Sequence, residues 1–233
     1  MRGIVIAWCL TIAIAVPRVG QSPGEPLRPT DDQLRLSAIE VARLVKLLEL
    51  APGMTVADVG AGLGAWTLQF SRWTGSSGRV WATDIDDVAL RSLRALVAQE
   101  QLSNVTVAEG APAATNLPTG CCDAILLRNV YHYVPDPTAM VRSLAESLRP
   151  GGRLAIVDFP PRPNSKVPPG VPANRGGNGI PPEIVEREIG ALLKHVTTIP
   201  AWAPENVPPP GLPQTFAPSY VAIFRKGGES RPR

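Results

Sequence analysis

Cysteine, histidine and the aromatics are scarce in this chain, and each scarcity closes a class of function. Of 233 residues only three are Cys and two are His. None of them stands at C-x-x-C or Cys/His ligand spacing, so neither a zinc site nor a dithiol redox centre is encoded. Cys121 and Cys122 are adjacent. Because bridging neighbours strains disulfide geometry, they read as structural thiols, with Cys122 facing the core beside a strand. Aromatic residues make up 5%, and 23 Lys and Arg against 20 Asp and Glu leave a net charge of +3. The basic residues are scattered and not interleaved with aromatics, which argues against nucleic acid as a partner. No internal repeat is present. The apolar run at residues 4–16 is short of the roughly 20 residues that span a membrane. It follows a single Arg2 and contains Ala13-Ile14-Ala15, so residues 1–20 read as a secretory signal or, if uncleaved, an N-terminal anchor. This places the mature chain in an exported or periplasmic compartment, with a cytoplasmic or membrane-anchored location as the alternatives; a membrane contact follows only if the segment stays attached. Cys9 lies inside the run and not at its end, against a lipoprotein.

What the chain does have is proline, 26 residues of it, in excess in the last third, and enough apolar residues (44%) for one good-sized core. Residues 21–29 read as a linker, residues 30–226 as the domain and residues 227–233 as a frayed tail. Thr30-Asp31-Asp32-Gln33 is a capping-box pattern that opens a helix to about Glu49, with Leu36, Ile39, Leu44, Leu47 and Leu48 available to its apolar face. Strands are expected at residues 56–59, 80–84, 104–107, 122–127 and 153–159. Helices are expected between them: residues 65–73; a helix capped by Asp86 or Asp87 and carrying Val88, Leu90, Leu93, Leu96 and Val97; and one started by Asp136-Pro137 and ending near Leu148, with Gly151-Gly152 as its stop. Strands alternating with helices at this spacing argue for a parallel sheet. Residues 160–179 form a Pro- and Gly-rich loop, residues 181–194 a helix, and residues 195–199 and 219–225 the last two strands, joined by a second proline-rich loop at residues 201–218. Proline gives both loops preset shapes, fit to wall a site.

The densest chemical signal is Val56-Ala57-Asp58-Val59-Gly60-Ala61-Gly62-Leu63-Gly64. An apolar strand runs into glycines at alternate positions, where a Cβ would block the approach of a ligand to the backbone. About twenty residues on, Val80-Trp81-Ala82-Thr83-Asp84 ends a second strand in an acid placed to accept hydrogen bonds from a ribose diol. Gly60-x-Gly62-x-x-Ala65 also satisfies the dinucleotide pattern G-x-G-x-x-G/A, but a dinucleotide brings its pyrophosphate against the helix N-terminus, where Asp58 would repel it. S-adenosylmethionine (SAM) has no phosphate and carries an amino group and a sulfonium, so the same acid becomes an attraction.

From about Leu48 to Asp158 the chain resembles the class I SAM-dependent methyltransferases, most closely the broad group that includes the small-molecule type 11 enzymes. The matching pieces stand in family order: the glycine turn; Gly78-Arg79-Val80-Trp81-Ala82-Thr83-Asp84; Asn104-Val105-Thr106-Val107; Cys122-Asp123-Ala124-Ile125-Leu126-Leu127 followed by Asn129-Val130-Tyr131-His132-Tyr133; and Leu148-Arg149-Pro150-Gly151-Gly152. The resemblance implies a Rossmann-like, doubly wound α/β fold, its mostly parallel sheet closed by a C-terminal antiparallel strand. It implies SAM as cofactor and direct SN2-type transfer of its methyl group to a small-molecule acceptor. Gly60, Ala61, Gly62 and Gly64 would run under the methionine end. Asp58 would orient the turn or meet the amino group. Asp84 would take the ribose hydroxyls, and Ile85 would pack on the adenine face. Asn129 would hold the methionine end from beyond the fourth strand. Where the family often has Gly-Asp after the third strand, here Gly110 precedes Ala111, whose backbone would have to meet the adenine. Tyr131, His132 and Tyr133 would face the acceptor, with His132 the candidate base. Trp66 and Thr67 fit either the methionine pocket or core packing, and His195 reads as structural. Two rivals remain. One is a catalytically degenerate, exported SAM- or nucleoside-binding protein on the same scaffold, motivated by Ala111 and the signal-like segment. The other is an NAD-dependent oxidoreductase, against which stand Asp58 and the lack of a Tyr-x-x-x-Lys pair. Neither the acceptor atom nor the oligomeric state is encoded in these motifs.

Overall fold

A computed structural model of the chain describes residues 25–202 and 219–228. The signal-like segment with Cys9, the start of the linker, nearly all of the loop at 201–218 and most of the tail lie outside the described residues. The first helix, α1 (Asp31–Leu47), opens with the expected capping box: Thr30 Oγ1 accepts from Gln33 N (3.1 Å), and Gln33 Oε1 accepts from Thr30 N (2.9 Å). Its buried face is centred on Ser37, Glu40, Val41, Leu44 and Val45. Ile39, expected to face inward, is 43% exposed. The helix is turned by its one buried acid. Glu40 has no exposed surface and accepts from three side-chain N–H groups: Trp66 Nε1 (2.6 Å), Arg128 Nε (2.6 Å) and Trp202 Nε1 (2.7 Å). Those donors outweigh one apolar side chain, because an ionised carboxylate is stable inside a protein only when it is paired and hydrogen-bonded.

Seven strands form one sheet: β1 (Thr55–Val59), β2 (Arg79–Asp84), β3 (Val105–Glu109), β4 (Cys122–Arg128), β5 (Leu148–Asp158), β6 (Lys194–Ile199) and β7 (Tyr220–Arg225). Their order is β3-β2-β1-β4-β5-β7-β6. The first five run parallel, and β7 is antiparallel to both β5 and β6, the Rossmann-like arrangement the sequence led us to expect. The connecting helices are α2 (Ala65–Thr74), α3 (Asp87–Gln99), α4 (Pro137–Ser147) and α5 (Pro182–Gly190). Asp86 and Asp136 cap α3 and α4 through the amides of Ala89 (2.8 Å) and Ala139 (3.0 Å). Strand β4 is buried on both faces, as a central parallel strand must be. Ile125 and Leu127 pack with Met140, Leu144, Val185 and Ile189 on one side, while Ala124 and Leu126 meet Val41, Leu44 and Trp202 on the other. Among the described residues no helix is long and apolar enough to cross a membrane.

Several local expectations are corrected. Cys121 and Cys122 are joined as a vicinal disulfide; Cys122 is fully buried, as anticipated. Strand β5 begins at Leu148 and not at Arg153, and Gly151-Gly152 sit in a register shift where Cys122 faces Leu148 and Ala124 faces Arg153. Helix α4 ends at Ser147, next to the expected Leu148, but it is pairing with β4 and not the glycine pair that stops it. Helix α5 stops at Gly190, where the amide of Leu193 closes on the Ile189 carbonyl (3.0 Å), in keeping with the poor helix propensity of glycine. The loop at 160–179 carries a 3₁₀ turn (Ala173–Arg175) and is cross-tied by Arg162 N to Asn178 O (3.0 Å) and Asn178 N to Ser165 Oγ (2.7 Å). The end of the linker is docked, with Leu27 N donating to Ser92 Oγ on α3 (3.0 Å).

Replacing Glu40 with Ala would leave the Arg128 cation and two indole N–H groups without their acceptor. We expect a loss of about 3–5 kcal/mol, read as a lowered midpoint in urea denaturation; a change below about 1 kcal/mol would show that α1 is held by its apolar contacts alone.

Candidate functional site

The strand order reverses between β1 and β4, and such a switch point opens a crevice beyond the carboxyl ends of the two strands. The glycine turn fills its floor. At Gly60 the backbone is left-handed (φ +74°), and a Cβ there would lie 2.3 Å from Val130 Cγ2, so the turn passes under the segment leaving β4 only as glycine. Gly62 (φ +55°) is the opposite case: a Cβ would meet nothing within 4 Å. The space above it belongs to the crevice. Gly64 is the left-handed N-cap of α2. The turn is pinned to β2, since the amides of Gly60 and Ala61 both donate to the Thr83 carbonyl (2.8 and 2.9 Å), and the amide of Gly62 donates to Asp84 Oδ2 (2.8 Å). Asp84 Oδ1 in turn accepts from the amides of Ile85 (2.8 Å) and Asp86 (3.0 Å). Asp84 is thus the clamp between turn and second strand, and its carboxylate opens onto the crevice.

Two cavities meet at Gly60. One, of about 240 Å³, is apolar and bounded by Ile85, Ala111, Pro112, Val130, Tyr133 and Met140, with the Asp84 carboxylate at its edge. The other, of about 130 Å³, is polar and bounded by Gln33, Asp58, Ala61, Gly62, Trp66 and Arg128. Ile85 is 59% exposed, a large apolar side chain left open on the wall of the cleft. Asp58 is buried and accepts from Thr67 Oγ1 (2.7 Å). Burial pushes its carboxyl up to about 6; the Thr67 hydroxyl bond opposes this, and the nearby Asp84 charge adds to it. Trp66 lines the polar cavity whereas Thr67 serves Asp58, so the two candidates following the turn divide between pocket and core.

Arg128 was not singled out in the sequence. It ends β4, stacks on the Trp66 ring (4.0 Å) and is held through Nε by Glu40, which presents the guanidinium to the polar cavity. The available signal was its position, a cation at the carboxyl end of a central strand. Asn129 lines neither cavity. It adopts a left-handed conformation (φ +56°) and donates its amide to Val157 O (2.8 Å), turning the chain so that Val130 crosses Gly60. Ala111 lines the apolar cavity, with its amide donating to the Ala114 carbonyl (2.9 Å) and its carbonyl accepting from the Ala114 amide (3.2 Å).

Tyr131, expected to face an acceptor, is fully buried in the core and donates to Glu188 Oε2 (3.0 Å). Burial, with Glu188 adding to it, drives its phenol above the usual tyrosine range. The 3₁₀ turn Tyr131–Tyr133 points successive side chains in different directions, and it is Tyr133, 52% exposed, that lines the cleft. His132 is buried with Nδ1 2.8 Å from Asp158 Oδ1, and its amide donates to Asp158 Oδ2 (3.2 Å). His195 lies on the edge strand near Thr198 (2.9 Å), away from the crevice. Among the described residues no group of His, Cys, Asp and Glu is set to hold a metal.

Comparison with known proteins agrees with this geometry. Residues 56–152 match the family described as "Methyltransferase domain". The ubiquinone/menaquinone biosynthesis C-methyltransferase UbiE of Shewanella frigidimarina is 30% identical over 116 residues, covering 49% of this chain and 46% of that protein. The chain therefore spans about half the length of the curated relatives it matches. Among solved structures, a SAM-dependent methyltransferase from Aquifex aeolicus superposes with a TM-score of 0.62 at 20% identity, over 82% of this chain and 92% of that one. The geranyl diphosphate C-methyltransferase of Streptomyces coelicolor, solved with S-adenosyl-L-homocysteine, gives 0.59 at 14%, over 82% and 81%.

The raised carboxyl of Asp58 makes a pH prediction. Between its ordinary value of 3.8 and about 6, the folded chain holds a proton that the unfolded chain has released. Stability from this group therefore rises as the pH falls through that window, by roughly 2–3 kcal/mol. Urea denaturation of the wild type and Asp58→Asn at pH 7 and pH 4.5 should show the wild type gaining on the variant at the lower pH. A difference independent of pH would assign the titration elsewhere.

Proposed function

We propose that this chain, whose residues 56–152 match a methyltransferase-domain family, is a class I SAM-dependent methyltransferase that transfers a methyl group from SAM to a small-molecule acceptor. The observation that carries the proposal is the junction at Gly60, where an apolar cleft edged by one carboxylate meets a polar cleft holding an acid and an arginine. SAM has the matching halves, an adenosine at one end and an amino acid at the other. The residues present fit it. Asp84 has a lone pair left on Oδ2 for a ribose hydroxyl beyond its three amide bonds, and Ile85 offers an apolar face for the adenine. At the polar end, the Arg128 guanidinium suits a carboxylate and Asp58 an ammonium group. When bound, SAM supplies a methyl group already activated on a sulfonium, so the protein's main task is to align the acceptor with it.

The same residues disfavour a dinucleotide. Asp58 lies beneath the turn where a pyrophosphate would sit, and its charge would oppose one. The curated relatives and one of the solved structures are C-methyltransferases by name, which makes carbon acids the first acceptors to try alongside hydroxyl compounds. The signal-like segment at residues 4–16 supports an exported form of the protein, tested by sequencing the N-terminus of the mature chain.

Calorimetric titration of the full chain with SAM, S-adenosylhomocysteine and NAD should show micromolar binding of the first two and none of the third. Binding of NAD alone would reverse the reading. Asp84→Ala should weaken S-adenosylhomocysteine by about 1.5–3 kcal/mol, roughly 10- to 150-fold, while unchanged affinity would place the ribose elsewhere.

A further inference from the structure

The far end of the apolar cleft offers almost nothing to the edge of a base. Where β3 ends, the chain runs Gly110-Ala111-Pro112-Ala113-Ala114, and Gly110, Ala111, Pro112 and Ala114 line the cavity of about 240 Å³. None of the four has a polar side chain, and their backbone donors are spent or missing. The Gly110 amide donates to the Asp84 carbonyl (2.9 Å), the Ala111 amide to the Ala114 carbonyl (2.9 Å) and the Ala114 amide to the Ala111 carbonyl (3.2 Å). Pro112 has no N–H. Glu109, the acid just before this segment, does not line the cavity. Of the side chains that bring oxygen to the wall, Asp84 is held at the edge by three amides, Thr83 is only 1% exposed and Tyr133 is half-exposed. The end is not sealed either: Pro112 is exposed, with Ala111 and Ala114 half-buried, so water can reach the outer edge of a bound base. Reading adenine by its edge takes an acceptor beside the amino group and a donor beside the neighbouring ring nitrogen. This segment supplies no side chain for the first and no free amide for the second.

Resting on the methyltransferase reading, we propose that the base end of the cofactor site recognises a purine by its faces and shape and leaves the substituent at its 6-position unread, with Ala111 the residue that sets this tolerance. The ligand class is therefore wider than SAM and its product. Purine ribosides joined to homocysteine through sulfur, with an oxo or a small alkylamino group in place of the amino group, fit the same site. A site built to hydrogen-bond a group rejects the analogue that lacks it, because the site's own polar atoms are then left unpaired; an apolar pocket has nothing to leave unpaired and discriminates weakly. Affinity comes instead from Ile85 on the base, Asp84 on the ribose, and Asp58 and Arg128 on the amino-acid end. A carboxylate at position 111 would reverse the tolerance, accepting from a 6-amino group and repelling a 6-oxo group.

Calorimetric titration of the full chain with S-adenosylhomocysteine, S-inosylhomocysteine and the N6-methyl derivative of S-adenosylhomocysteine tests the proposal. The three dissociation constants should agree within about tenfold; any larger preference for the adenosyl compound over either analogue overturns it. In Ala111→Asp the ratio of S-inosylhomocysteine to S-adenosylhomocysteine dissociation constants should rise by at least about tenfold over the wild-type ratio. A smaller rise shows that position 111 does not face the 6-position and overturns the role given to Ala111. The wild-type comparison involves no substitution, so it decides the tolerance even if Ala111→Asp does not fold. Failure of the wild type to bind S-adenosylhomocysteine at all would sink the cofactor reading, whereas S-adenosylhomocysteine bound and the analogues refused would sink this inference alone.

Discussion

A carboxylate with no exposed surface fastens α1 beside the polar cavity. Glu40 is the common acceptor of one guanidinium and two indoles drawn from α2, β4 and the segment after β6. Without those donors the charge could not remain buried; the Arg128 guanidinium stacked on the Trp66 ring adds a second tie between β4 and α2. The pairing sets the rotation of α1, leaves Ile39 outside, and fixes Arg128 by its Nε so that the rest of the guanidinium faces the polar cavity. The wall of a binding site is here a by-product of how a helix is fastened to a sheet.

The crevice itself follows from a second constraint, the close crossing of two chain segments. Strand order reverses between β1 and β4, so the turns leaving those strands must pass one another. They do so with Val130 pressed against Gly60 and Asn129 taking a left-handed conformation to steer it there. Asp84 then ties the turn to β2 through the amide of Gly62. Backbone contacts determine the floor before any ligand is considered, which is why the apolar and polar cavities share a residue.

Much of this was legible in the chain. The strands, the caps at Thr30, Asp86 and Asp136, and the glycine turn are local signals, written in residues that are neighbours in sequence. What was missed depends on partners far away. Glu40 reads as one more acid on a polar helix until Trp66, Arg128 and Trp202 are folded around it. Arg128 reads as the end of a strand. Tyr131 and Tyr133 look equivalent in sequence, yet the 3₁₀ turn sends one into the core towards Glu188 and the other to the cleft. The early start of β5 depends on pairing across to Cys122, which no local pattern announces. The role of Asn129 turned out to lie in its backbone angle, where a search for side-chain chemistry does not look.

The three glycines of the turn do not report on the same thing. Gly60 and Gly64 are required by the protein's own packing: a Cβ at the first would strike Val130, and one at the second would strike Leu93 and Leu96. Gly62 faces open space, and its left-handed backbone is one that asparagine also tolerates. A lineage that ceased to bind a cofactor would still be held to the outer two glycines by packing and backbone angle together, while the middle one would be held by its left-handed backbone angle alone. In sequences descended from this scaffold, the middle position is therefore the informative one for separating working enzymes from inherited shells, and the intact outer pair is evidence of ancestry alone.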